Sequence, residues 1–151
     1  MRRKEKEITD RAEIEAIIAK AQVCRLAMTD EDRPYIVPLC FGYENNTLYF
    51  HSASTGKKLE ILKKNRRVCF EFDVDCEVRK DRQACKWSMR YRSVIGYGMA
   101  SFVESAAAKR QALDIIMHQY GSNENEYPEA TVAKIVVIRV DIDSLTGKFS
   151  Q

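Results

Sequence analysis

The sequence predicts a mainly β protein, a small antiparallel barrel with a few peripheral helices. Three observations predict it. Strand-like runs outnumber helical ones about two to one. They follow one another between isolated helices, without the regular alternation of a doubly wound sheet. The last apolar run, Ala133 to Ile142, is β-branched on both faces, as a barrel strand buried on two sides would be.

Asp10 followed by Glu13 fits a capping box, and Ile14, Ile17, Ile18 and Ala21 recur at helical spacing. This first helix is expected to lie as a lid or plug on the sheet. Val23 to Thr29 alternates as a strand, and Asp30-Glu31-Asp32 turns the chain. The next strand, Tyr35 to Tyr43, holds Pro38 in its middle. Proline cannot donate to a ladder, so Pro38 belongs on an edge, at a bulge or beside a ligand, and a bulge beside a ligand is expected. Asn45-Asn46 separates two β-rich runs and tolerates the left-handed backbone of a hairpin turn. Leu48 to Phe50 forms the second strand of that hairpin. A polar stretch from His51 to Lys58 then opens a short helix that runs through Leu59, Ile61 and Leu62 to Asn65.

Arg67 to Val74 reads as a strand. Cys76 to Arg92 is expected to be an exposed excursion of a long hairpin, with Trp87 covering a core or partner surface. Its Arg79, Lys80, Arg82, Lys86, Arg90 and Arg92 interleave with Trp87 and Tyr91, but no nucleic-acid motif accompanies them. Tyr91 to Val103 is a long strand whose Gly96 and Gly98, two apart on one face, point to strong curvature or a close backbone approach. Ser105 caps a helix from Ala106 to Tyr120, closed by Gly121. Ala112, Leu113, Ile116, Met117 and Tyr120 are its expected buried face, leaving His118 exposed. Ser122 to Glu129 reads as a polar loop.

With 151 residues the chain is expected to form a single domain. Hydrophobic content of 45% and charged content of 31% are ordinary for a soluble globular protein. A net charge of +3 does not imply nucleic acid; it favours small anions only where it is locally concentrated. Five cysteines without CxxC pairs, and only His51 and His118 beside them, predict no metal site and a reducing, cytoplasmic setting. Cys24, Cys40 and Cys69 lie in apolar runs as small hydrophobes. No signal peptide or membrane span is expected.

The most unusual local feature is the helix start at Gly56-Lys57-Lys58. The amino end of a helix carries partial positive charge, so cations there are unfavourable by about 0.3–1 kcal/mol each. Free N–H groups, two lysines, a permissive glycine and the hydroxyls of Ser52, Ser54 and Thr55 suit an anion, most simply a phosphate. It is not a Walker A loop, because the required second glycine and following hydroxyl residue are replaced by His51 and Lys58. From these residues alone, an anion site and a solvated basic turn both stand.

Three blocks in order, CRLAMTDEDRPYIVPLCFGYENNTLYFHSASTGKKLEILKKNRRVCFEFD, WSMRYRSVIGYGMASFVE and IVVIRVDIDSLTGK, give the chain its wider resemblance. It resembles the pyridoxamine-phosphate-oxidase-like, FMN-binding split-barrel proteins, and within them the nitroimidazole-resistance branch. The resemblance implies a split β-barrel that binds FMN between the subunits of a homodimer. It implies that Pro38 and Leu39 offer backbone groups along the flavin ring and that His51 and Ser52 face it. Lys57 and Lys58 would hold the phosphate, Ser93 would bond the ring or ribityl chain with Arg92 adjacent, and a partner's loop including Trp87 would close the site. His51 and Gly56 depart from the residue types usual in true pyridoxamine-phosphate oxidases, and the sequence stops soon after Lys148 without their substrate-binding Trp and Arg segment, so pyridoxamine phosphate is not the expected substrate.

The expected function is an FMN-dependent oxidoreductase acting on small planar acceptors such as nitroaromatics, with reduced nicotinamide or flavin as donor. His51 is the candidate proton donor, because imidazole exchanges protons near neutrality; a purely hydrogen-bonding role is the plainer reading. The alternatives are a flavin-binding or sensing module without turnover and a split barrel holding haem, deazaflavin or a nucleotide.

Overall fold

A computed structural model describes residues 3–150. Its eight strands form one antiparallel sheet: β1 (Glu7–Ile8), β2 (Cys24–Asp30), β3 (Arg33–Leu39), β4 (Gly42–Glu44), β5 (Thr47–Ser52), β6 (Arg67–Arg79), β7 (Ser88–Val103) and β8 (Val136–Ser150). The order across the sheet is β3-β2-β6-β7-β8-β5-β4, with β1 also pairing β8. The two ends of this path, β3 and β4, are consecutive in sequence and joined only by Cys40-Phe41. The sheet therefore curls until its edges meet at a covalent corner without pairing: a split barrel, as expected.

Local chemistry explains most of the joints. In the β4–β5 hairpin Glu44 pairs Thr47, and Asn45 and Asn46 both have positive φ, the two-residue turn whose twist matches the strands. Helix α1 (Arg11–Lys20) is capped by the Asp10 carboxylate, which accepts from the Ala12 N–H. Ile14, Ile17 and Ile18 enter the core, as a plug should. Helix α3 (Ala106–Gln119) is capped by Ser105 and followed by Gly121 at φ +85°. Inside the barrel Phe41, Phe70 and Phe72 are fully buried, the Phe72 ring centroid lying 4.8 Å from that of Phe41 and 5.9 Å from that of Phe70.

Gly96 and Gly98 stand where β7 is approached too closely for side chains. A Cβ at Gly96 would enter the Phe70 ring, and one at Gly98 would collide with the Asp141 carbonyl oxygen. Next to them the β7–β8 register shifts between Tyr97 and Gly98, with Asp143 as the extra residue on β8.

Five expectations are corrected. The strand expected from Tyr35 to Tyr43 breaks at Cys40-Phe41, where Cys40 is exposed. Pro38 is not at a bulge: it pairs Arg25 in an unbroken β2–β3 register, and β3 tolerates it because β3 is an edge strand. A short helix α4 (Glu129–Lys134) occupies what read as loop and strand, so β8 begins at Val136. Within β8 the outward Arg139 and Asp141 leave only one face buried after Ile138. On α3, Met117 is half-buried and Tyr120 is exposed, while His118 lies outside as expected.

Candidate functional site

The candidate anion cradle is built where β5 ends and helix α2 (Lys57–Lys64) begins. Gly56 precedes the helix at φ +138°, a backbone that side chains rarely adopt, and its Cα faces open space. Leu59, Ile61 and Leu62 anchor the helix in the core, which fixes the direction in which its first N–H groups point.

The two lysines behave differently. The Lys57 ammonium bonds the Asp30 carboxylate at the β2–β3 turn; this pair lowers the Asp30 pKa and raises that of Lys57. Lys58 is half-buried, and among the described residues no carboxylate lies within 4.0 Å of it. Burial alone pushes its pKa down. A cation losing hydration without a counter-ion at a helix amino end is the feature a phosphate dianion would relieve. The residues present therefore fit a phosphate group.

From this corner the edge strand leads away. Lys57 reaches Asp30, Asp30 pairs Arg33, and β3 then carries Pro34, Ile36 and Pro38 outward on one face. The five steps from Arg33 to Pro38 span about 17 Å of strand. Along that length the side of β3 away from β2 has no ladder partner among the described residues, while inward-facing Val37 and Leu39 pack on the core. His51 is exposed and Ser52 buried at the end of β5, paired with Val137 and Val136.

Arg92 and Ser93 are not brought to that corner. His51 is level with Val137 and hence with Val103 on β7, so ten residues, about 33 Å of strand, separate that level from Ser93. The two side chains also diverge. Ser93 shares the outer face with Ile95 and Tyr97, whereas Arg92 reaches the Glu13 carboxylate of α1 at 3.6 Å.

Two features lie beyond the sequence reading. One is Asp30 as the partner of Lys57. The other is a transverse row on the outer sheet face, where Tyr97 pairs Cys69, Cys69 pairs Ala27, and Ala27 pairs Ile36. Tyr97 and Ile36 are 57% and 59% exposed, and Ile95 and Met99 flank the row. The only sequence signal for it is the outward alternation of apolar residues on β3 and β7. A separate network, in which Arg25 bonds both Glu71 at 3.0 Å and Asp73, borders the row.

Comparison with known proteins places this geometry. A family model described as pyridoxamine 5'-phosphate oxidase matches residues 10–149. A solved structure from Bacteroides thetaiotaomicron, described as a candidate 5-nitroimidazole antibiotic resistance protein, is 40% identical. It superposes with a TM-score of 0.85 over 95% of this chain and 86% of its own. An FAD- and haem-binding protein from Mycobacterium smegmatis shares the fold at 20% identity and TM-score 0.86, covering 97% of this chain and 74% of that one. A curated but uncharacterized protein of Rhizobium meliloti is 31% identical over 64 residues, 42% of each chain. The match spans less than half of that relative's length. On the match over residues 10–149, the chain belongs to the pyridoxamine 5'-phosphate oxidase-like split-barrel family.

Proposed function

We propose that the protein is an FMN-dependent oxidoreductase that reduces small planar acceptors, nitroaromatic compounds among them. The observation that carries the reading is Lys58: half-buried, lowered in pKa by burial and facing no carboxylate at the start of α2. When bound, FMN supplies the redox chemistry itself. This chain's residues bind, orient and shield it. Lys58 and the first N–H groups of α2 hold the phosphate, and Lys57, tied to Asp30, adds a second positive charge at that corner. The free edge of β3 around Pro38 and Leu39 offers backbone hydrogen bonds to the ring. His51 delivers a proton to the reduced acceptor, and Ser52 steadies the strand end.

A homodimer completes the site. Ser93 stands too far along β7 to meet the phosphate corner of its own chain, while the exposed row from Tyr97 to Ile36 ends on β3, the strand assigned to the flavin. A second copy docked on that row would bring its own outer face to the flavin, with FMN between subunits. The Bacteroides relative's description as a candidate nitroimidazole resistance protein supports the acceptor class.

The test separates the lysines. Lys58→Ala should weaken FMN binding by about 1.5–3 kcal/mol, the loss of a charge-assisted contact. Lys57→Ala should cost less, because its ammonium is already committed to Asp30. Fluorescence titration of the two variants checks the order, and unchanged affinity in Lys58→Ala would remove the phosphate assignment. Anaerobic mixing of the reduced holoprotein with a nitroimidazole reads turnover; flavin that stays reduced favours a binding module instead.

A further inference from the structure

The chain's positive charge is concentrated in one place. Beyond Val74 the β6–β7 ribbon projects as an arm, after a register shift at which Asp75 takes φ +58°. From Asp75 to Arg92 it holds six cations against three carboxylates, a net +3 that equals the formal charge of the whole chain. The carboxylates neutralise little of it. Asp81 accepts from the Gln83 N–H within the arm's turn, Glu77 is 3.9 Å from Arg90, and Asp75 is bound to Lys20 of α1. Among the described residues Arg79 and Lys80 have no carboxylate within 4.0 Å.

Arg79, Lys80 and Arg90 line an open, polar hollow of about 570 Å³ together with Glu77 and Val78. Trp87 stands beside it, half exposed, its indole N–H donating to the Asp81 carbonyl at 2.8 Å and the Lys80 ammonium 5.8 Å from its ring centroid. A pinned aromatic face beside the Lys80 ammonium, at the rim of a cleft that also holds two arginines, suits a planar base carrying phosphates.

We propose that this cleft binds a phosphate-bearing nucleotide, with Arg79, Lys80 and Arg90 on the phosphates and Trp87 on the base. Resting on the oxidoreductase reading above, the nucleotide is the electron donor, a reduced nicotinamide dinucleotide bearing an additional phosphate; because Arg90 lies three residues beyond Ser93 on β7, the flavin it serves is that of the second copy in the homodimer. A nucleic acid is the poorer occupant, because single strands are held by successive aromatic platforms along a basic track. Here one tryptophan stands at one cleft.

The experiment uses the holoprotein and NADP⁺, which binds without reacting, measured by calorimetry beside NAD⁺. At low salt NADP⁺ should bind at least fivefold more tightly than NAD⁺, and the preference should shrink as salt rises. An Arg79→Ala/Arg90→Ala variant should bind NADP⁺ at least tenfold more weakly. Its FMN content and sedimentation should be unchanged, as should reoxidation of its dithionite-reduced flavin by acceptor. Undetectable NADP⁺ binding by the native protein, or equal affinity in the variant, overturns the proposal. So does tighter binding of a ten-nucleotide oligothymidylate, which assigns the arm to single strands. Dissociation of the assembly in the variant overturns it too, assigning the arm to subunit contact. FMN release by Lys58→Ala is read on a different group, so failure here leaves the flavin assignment standing and failure there leaves the nucleotide measurement intact.

Discussion

At the scale of single residues, two glycines with opposite surroundings show what fixes the barrel's shape. Gly56 has open space around it and is required by its positive φ alone. Gly98 has no unusual φ but no room, since a Cβ there runs into the Asp141 carbonyl and the Val140 side chain. Gly98→Ala must push β7 away from β8 beside their register shift, and overpacking of this kind costs about 1–3 kcal/mol. Urea unfolding should show a lower midpoint at unchanged slope. A loss below about 0.5 kcal/mol, within the range of neutral surface changes, would mean the bend is not set by that contact. The pair Gly96 and Gly98 was legible from sequence because the signal is local, two absent side chains on one face of a β-rich run. The Lys57–Asp30 bond was not, since 27 residues separate the partners and only the fold brings the β2–β3 turn to α2.

At the scale of elements, the same distinction decides what sequence could show. Caps at Asp10 and Ser105, the Asn45-Asn46 turn and the Gly56 helix start are each written within a few residues, and each is present. The break between β3 and β4 is not written locally: the run from Val37 to Tyr43 stays apolar and strand-like through Cys40 and Phe41. Likewise the order that makes β3 an edge strand depends on the whole sheet, so Pro38 looked like a bulge. What holds the break is the end of α3. The Tyr120 hydroxyl accepts from the Phe41 N–H at 3.0 Å and donates to the Gln22 carbonyl at 2.9 Å. The neighbouring Gln119 amide donates to the carbonyls of Ile18, Ala19 and Ala21, finishing α1. Tyr120→Phe keeps the ring and removes both hydroxyl bonds, leaving the N–H of buried Phe41 without its acceptor. A loss of about 1–3 kcal/mol is expected, with faster hydrogen exchange at the Phe41 amide than at neighbouring β5 amides. Exchange unchanged at Phe41 would show that the corner is held by the aromatic packing instead.

At the scale of the whole molecule, the outer sheet face is the surface left to explain. Inside, the barrel meets the demand for burial: Phe41, Phe50, Phe70 and Phe72 are inaccessible to solvent. Outside, Ile36, Tyr97, Ile95 and Met99 remain exposed on a contiguous patch across four strands, an arrangement more typical of a surface that meets a partner. A two-fold contact uses the same patch on both copies, so one substitution acts twice. Ile36→Glu puts a carboxylate into that patch from each side and should convert the proposed dimer to monomer in sedimentation, with FMN retention falling at the same time. Because Ile36 is 59% exposed in the single chain, the thermal stability of the monomeric barrel should move little, which separates lost assembly from lost folding. FMN retained by a stable monomer would place the whole flavin site on one chain. A dimer that persists with carboxylates in the row would move the subunit contact elsewhere, leaving the β6–β7 arm as the next surface to test.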